Sequence, residues 1–119
     1  MKDELQDLID LLHERKCSCV LRNGEIYTFE RRGVEDLYAL LREQPGLLLG
    51  ADVADKVVGK GAAALMVLGR VRRVYADVLS EPAYGLLFQA GISVSYGRLV
   101  SAIRNLSLIH ISEPTRLGM

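Results

Sequence analysis

The chain has 119 residues, half of them apolar and a quarter charged, an ordinary balance for one globular domain around a single core. Fifteen lysines and arginines match fifteen aspartates and glutamates, so no overall field draws it to nucleic acid or to an anionic membrane surface. No apolar run approaches the roughly 20 residues of a membrane span, and the acidic start Met1-Lys2-Asp3-Glu4 is not a secretory leader, which makes the cytoplasm the expected compartment.

Asp3 and Gln6 mark a helix start, and Leu5, Leu8, Ile9 and Leu12 recur at helical spacing, predicting an amphipathic helix that ends near Lys16. From Cys17 to Phe29 two β-forming segments flank Asn23-Gly24, a pair that tolerates positive φ, which predicts a hairpin. In an extended strand Cys17, Cys19 and Leu21 share one face, and Ser18, Val20 and Arg22 the other. Two thiols one residue apart close no useful loop, and the only histidines to join them are His13 and His110, so neither a structural disulfide nor a metal centre is expected.

Gly33 breaks the chain before a second helix marked by Val34, Leu37, Tyr38 and Leu41, which stops before Pro45-Gly46. A short apolar segment, Leu47 to Ala51, follows. Ala54 to Leu68, with Gly59, Gly61 and Ala62 to Ala64, carries small or apolar residues on most faces and predicts a central helix against a sheet. The basic cluster Arg70, Arg72 and Arg73 reads as a solvated loop. Val74 to Leu79 predicts a buried strand, Pro82 to Ala90 a helix stopped by Gly91, and Ile92 to Ser95 a further strand. Strands alternating with helices predict parallel pairing. The fold class is therefore α/β: a three-layer sandwich with a mixed sheet, an N-terminal hairpin and β-α-β units, in one domain over residues 1–105.

Leu106 to Arg116 reads Leu-Ser-Leu-Ile-His-Ile-Ser-Glu-Pro-Thr-Arg and resembles the in-frame translation of a transposase-type sequencing adapter. Residues 106–119 are accordingly expected to be foreign, with the natural protein cut short near Asn105.

Two stretches carry candidate chemistry. Ala51 to Lys60 places Asp55, Lys56, Gly59 and Lys60 around the opening turns of the expected central helix, where unpaired N–H groups attract anions and two lysines four apart add charge. Asp55 reads equally as a helix cap or a lysine's ion-pair partner. Ser80-Glu81-Pro82 is a second helix start directly after a strand, the place where open α/β sheets bind ligands. Glu81 there serves either acid-base chemistry or helix stability alone. Cys19 is either a small core residue or a nucleophile, with nothing near in sequence to lower its pKa. Tyr75, Tyr84 and Tyr96 read as packing residues with a polar tip.

Val53-Ala54-Asp55-Lys56-Val57-Val58-Gly59-Lys60 with Ala62-Ala63-Ala64-Leu65-Met66, and Val74-Tyr75-Ala76-Asp77-Val78-Leu79-Ser80-Glu81-Pro82-Ala83, resemble the domain-of-unknown-function family numbered 1893. So do Ser18-Cys19-Val20, Arg32-Gly33-Val34 with Asp36-Leu37-Tyr38, and Val94-Ser95-Tyr96. The resemblance implies a cytidine-deaminase-like fold, and family members continue with a Cys-Pro-x-Glu segment that this chain lacks. Zinc deaminases set a His-Ala-Glu or Cys-Ala-Glu helix start against a later Pro-Cys-x-x-Cys. The corresponding segments here are Val53-Ala54-Asp55 and Pro82 to Leu86, whose ligand positions hold Val53, Ala83 and Leu86. None of these binds a metal, so the resemblance brings a fold without zinc chemistry, and no cofactor is expected.

Two functions follow as expectations. One is binding of a small nucleotide-like or anionic metabolite by Lys56, Gly59, Lys60 and Ser80. The other is a zinc-independent enzyme with Cys19 as nucleophile or redox group, assisted by Asp55, Lys60 or Glu81. Neither membrane nor nucleic acid is an expected partner, and self-association is open.

Overall fold

The computed structural model describes residues 4–15, 17–30 and 34–102. In chain order the elements are α1 (Glu4–Glu14), β1 (Cys19–Asn23), β2 (Glu25–Phe29), α2 (Glu35–Glu43), α3 (Pro45–Leu48), β3 (Asp52–Val58), α4 (Lys60–Gly69), β4 (Arg73–Ser80), α5 (Glu81–Gln89) and β5 (Ser93–Val100). The five strands form one sheet in the order β2-β1-β3-β4-β5. Strand β1 is antiparallel to both β2 and β3, whereas β3, β4 and β5 run parallel, so the expected hairpin and β-α-β units share one mixed sheet.

Helices cover both faces of this sheet. The stripe of α1 buries Leu8 and Leu12 against Cys17, Val20 and Ala54. On the opposite face Leu37 and Leu40 of α2, Leu48 of α3, Met66 of α4 and Leu87 of α5 pack over Leu21, Val53 and Val74. At about 25 cal/mol per Å² of apolar surface removed from water, the larger of these two layers supplies most of the drive to fold.

The hairpin tip is Gly24 at φ +79, with Asn23 opposite Glu25. Asn23 Nδ2 lies 3.0 Å from each of the carbonyl oxygens of Gly46, Leu47 and Leu49, tying the hairpin to the end of α3. The segment Leu47 to Ala51 thus includes the close of a short helix begun at Pro45, a residue favoured in a first turn because it lacks an N–H.

Three expectations are corrected. The segment predicted as one helix from Ala54 to Leu68 is strand β3 as far as Val58, then Gly59, then α4. Strand β3 is buried on both faces from Asp52 to Asp55 and so lacks a period-two pattern, which makes its sequence resemble part of a buried helix. Asp55 and Lys56 are therefore strand residues; Gly59, not Asp55, precedes α4 as its cap, and Lys56 and Lys60 do not share a helix face. The segment set against the first zinc-ligand helix start, Val53-Ala54-Asp55, likewise lies inside β3.

Cys17 and Cys19 do not share a face. Cys17 packs with Leu8 and Leu12 under α1, while Cys19 belongs to the opposite core. The chain bends at Ser18 before β1 begins, and strict alternation holds only within a strand.

The basic cluster is only partly a solvated loop. Arg72 and Arg73 both grip the buried Asp52 carboxylate, Arg72 at 2.9 and 3.2 Å and Arg73 at 2.8 and 3.1 Å. Arg70 ends α4 in the left-handed conformation, φ 62.

Candidate functional site

The carboxyl ends of β3 and β4 lie side by side, Val58 opposite Leu79, and each strand runs directly into a helix. At the first junction Gly59 is extended, and its carbonyl accepts from the Ala63 N–H at 3.0 Å, but no side chain caps α4. At the second, Ser80 Oγ accepts from the Ala83 N–H at 3.1 Å and Pro82 sits in the first turn. Two helix amino ends, each with partial positive charge, are thereby set on neighbouring strands. Lys60 opens α4 and Glu81 opens α5, both exposed.

Below these junctions Asp55 stands directly across the β1–β3 ladder from Cys19. Directly opposed residues have Cβ atoms about 5 Å apart on one face. Asp55 is 7% exposed and Cys19 6%. Burial pushes the Asp55 carboxyl up to about 7; the N–H groups of Val57 and Lys56 pull it down, and the charges of Asp77 and Asp36 add to the rise. The Val57 N–H lies 3.4 Å from Asp55 Oδ1. Burial also raises the Cys19 thiol well above its ordinary value, reinforced by Asp55, Asp36 and Cys17. Near neutral pH the pair is thus a carboxyl close to its midpoint beside a protonated thiol. Such a carboxyl can hold or release a proton, whereas a thiol among carboxylates is opposed in becoming a nucleophilic thiolate.

Lys56 goes to the other side of the sheet. It lines an open cleft of about 490 Å³ with His13, Arg15, Cys17 and Ser18, at the end of α1 and the entry to β1. Glu14 and Glu30 complete the rim. His13 Nε2 is 2.7 Å from Asp77 Oδ1, and the Tyr75 hydroxyl donates to that same oxygen at 2.7 Å. Burial, then the hydrogen bond and charge of Asp77, push the Tyr75 phenol up to about 12.

Of the residues singled out in the sequence, Cys19 and Asp55 are brought together, and Gly59, Lys60, Ser80 and Glu81 gather at the two strand ends. Lys56 is separated from them by the sheet. The His13–Asp77 pair carried no sequence signal, because its members are 64 positions apart. Among the described residues no three His, Cys, Asp or Glu side chains are grouped so as to hold a metal ion. Nor is any described helix long and apolar enough to cross a membrane.

The family model for TM1506, a domain of unknown function (DUF1893), matches residues 7–108. No curated protein matches the chain. The crystal structure of a DUF1893 family protein, TM1506 from Thermotoga maritima, is similar at 22% identity, with a TM-score of 0.77 over 90% of this chain and 74% of that one. Two forms of RibD from Acinetobacter baumannii each give a TM-score of 0.51 at 17% identity. They cover 78% of this chain, which spans about a third of their length, 34% and 33%. At these identities the likeness establishes the fold, a five-stranded mixed sheet between helices that is consistent with the deaminase-like class.

Proposed function

Starting from the fact that this chain belongs to the TM1506 family, a domain of unknown function (DUF1893), we propose that it binds a small nucleotide-like or anionic metabolite at the joined carboxyl ends of β3 and β4. The observation that carries this reading is Asp55. A carboxyl 7% exposed, pushed up to about 7 mainly by its own burial, is costly in a core and is typical of functional positions. It lies within β3, three residues before the strand's end at Val58, and the sheet's strand ends beyond it make the natural crevice for a ligand. In this reading Lys60 and the free N–H groups beyond Gly59 receive the anionic part. Ser80 and Glu81 flank it, and Asp55 offers a carboxyl that changes charge near neutrality. The domain, residues 1–105, works in the cytoplasm, with residues 106–119 foreign to it; those residues lie outside the described part of the chain.

A thermal-shift screen of nucleotides and phosphorylated metabolites near pH 7 tests the proposal. At least one class should raise Tm, by about 2.7 kcal/mol of added stability at a hundred times its Kd. Lys60→Ala should remove that rise and leave the unliganded Tm in place, since Lys60 is exposed. A flat screen on the wild-type chain overturns the reading.

The second reading, a zinc-independent enzyme using Cys19 with Asp55, Lys60 or Glu81, draws support from the Cys19–Asp55 register. Against it stands the raised thiol pKa, for which burial and then Asp55 are the leading causes.

A further inference from the structure

Helices α4 and α5 pack side by side and run parallel, because each follows one of two parallel neighbouring strands. We propose that their outer face is the contact between two copies of this chain. The two-fold axis runs along the helices and sets α4 of each copy on α5 of the other.

The apolar make-up of the two helices calls for a cover. Beyond Lys60, α4 has no polar side chain, and beyond Glu81, α5 has no charged one. A helix apolar on every side belongs in an interior. Yet only one side of α4 is covered: Ala62, Ala63 and Met66 are buried, whereas Leu68 is 66% exposed. On α5, Phe88 is 65% exposed and its ring stacks on Tyr84 at 5.8 Å, while Tyr96 meets Tyr84 edge-on at 6.2 Å. Rings already held in place lose little freedom when a partner covers them, and aromatic side chains are enriched at protein contacts.

The charges select a second copy as that cover. Val58 and Leu79 stand opposite each other in the β3–β4 ladder, so Lys60 and Glu81, each two residues further on, open their helices at one level. One is a cation and the other an anion; both are exposed, and among the described residues neither has an ion-pair partner. A two-fold axis along the helices exchanges α4 with α5, so Lys60 of each copy meets Glu81 of the other at the rim of an apolar centre. A two-fold axis across the helices instead lays α4 antiparallel on itself, with Lys60 facing Arg70, a like charge at the far end of the helix. Exposed pairs of this kind fix orientation and add little affinity, which comes from the apolar centre.

Sedimentation velocity of the 119-residue chain, without ligand and from micromolar to submillimolar concentration, tests this. A reversible monomer–dimer equilibrium is expected. Phe88→Glu and Leu68→Glu, both at exposed positions, should each leave a monomer with an unchanged circular-dichroism spectrum. Lys60→Glu should weaken dimerisation about tenfold, and Glu81→Lys added to the same chain should restore it, because the reversed pairs match again. Lys60→Ala, which removes only an exposed pair, should change it little. A wild-type chain that stays monomeric overturns the proposal, and one that sediments with phosphatidylcholine–phosphatidylglycerol vesicles while monomeric assigns the face to a lipid surface instead. A dimer untouched by both glutamate substitutions also overturns it. Failure of the double reversal to restore dimerisation overturns the parallel orientation. All of these outcomes are read without a metabolite, so they leave the β3–β4 site to stand or fall by its own screen.

Discussion

Cys19 and Asp55 face each other across the antiparallel β1–β3 ladder, buried at 6% and 7% exposure, and the carboxyl is pushed up to about 7. An acid whose folded pKa lies above its unfolded value binds more protons folded than unfolded between the two. Its ionisation therefore opposes folding as pH rises from about 4 to about 7. The full cost is about 4 kcal/mol, from roughly three units at 1.36 kcal/mol each. Asp55→Asn removes this contribution, so the stability of the variant minus that of the wild type should rise by roughly 3 kcal/mol between pH 5 and pH 8. Urea unfolding at the two pH values measures it, and a pH-independent difference would refute the raised pKa.

The Cys19 thiol, buried and beside carboxylates, should resist alkylation. With iodoacetamide at pH 8, mass spectrometry should find Cys19 unmodified in the native chain after a urea-unfolded sample is fully labelled. Cys17, 4% exposed, should likewise stay unmodified while the chain is folded. Rapid native labelling of Cys19 would instead favour the nucleophile reading.

Asp52 behaves oppositely to Asp55. Burial raises its pKa, but hydrogen bonds from Arg73 and Arg72, with their charges, more than offset this and leave it lowered. Its contribution is present above the unfolded pKa and is lost as pH falls below about 4. Asp52→Ala leaves two guanidinium groups without their shared acceptor at the amino end of β3. A loss of about 2 kcal/mol is expected at pH 7, shrinking at pH 3, as read by chemical denaturation at each pH.

Ser80→Ala removes the hydroxyl that accepts from the Ala83 N–H and leaves that buried donor unsatisfied. The expected cost is about 1 kcal/mol. Ser80→Asp, which restores an acceptor, should recover much of it if the role is capping; failure of that rescue would point to a requirement for the small hydroxyl itself.

Gly69 closes α4 against Leu48, and a Cβ built there would meet Leu48 Cδ1 at 2.7 Å and Cβ at 2.8 Å. Gly69→Ala should cost about 2 kcal/mol through overpacking, despite alanine's better helix propensity. Leu48→Ala in the same chain should relieve part of that cost, and simple additivity in the double-mutant cycle would contradict the contact.

Where local chemistry dictates local shape, the sequence alone was sufficient. Asn23-Gly24 specifies a reversal because positive φ is accessible there, the leucine stripe of α1 specifies one buried face, and Ser80-Glu81-Pro82 starts a helix through a capping hydroxyl and a proline. Alternating elements likewise specified an α/β sandwich with parallel pairing. Tertiary structure decided the rest. Asp52 to Val58 is a strand because it pairs with β1 and β4, and burial on both sides from Asp52 to Asp55 erases the periodicity that would have announced it. The Cys19–Asp55 and His13–Asp77 pairs depend on strand register and on the seating of α1, which bring together residues 36 and 64 positions apart. The environments that set their protonation come from these long-range placements, which no local pattern encodes.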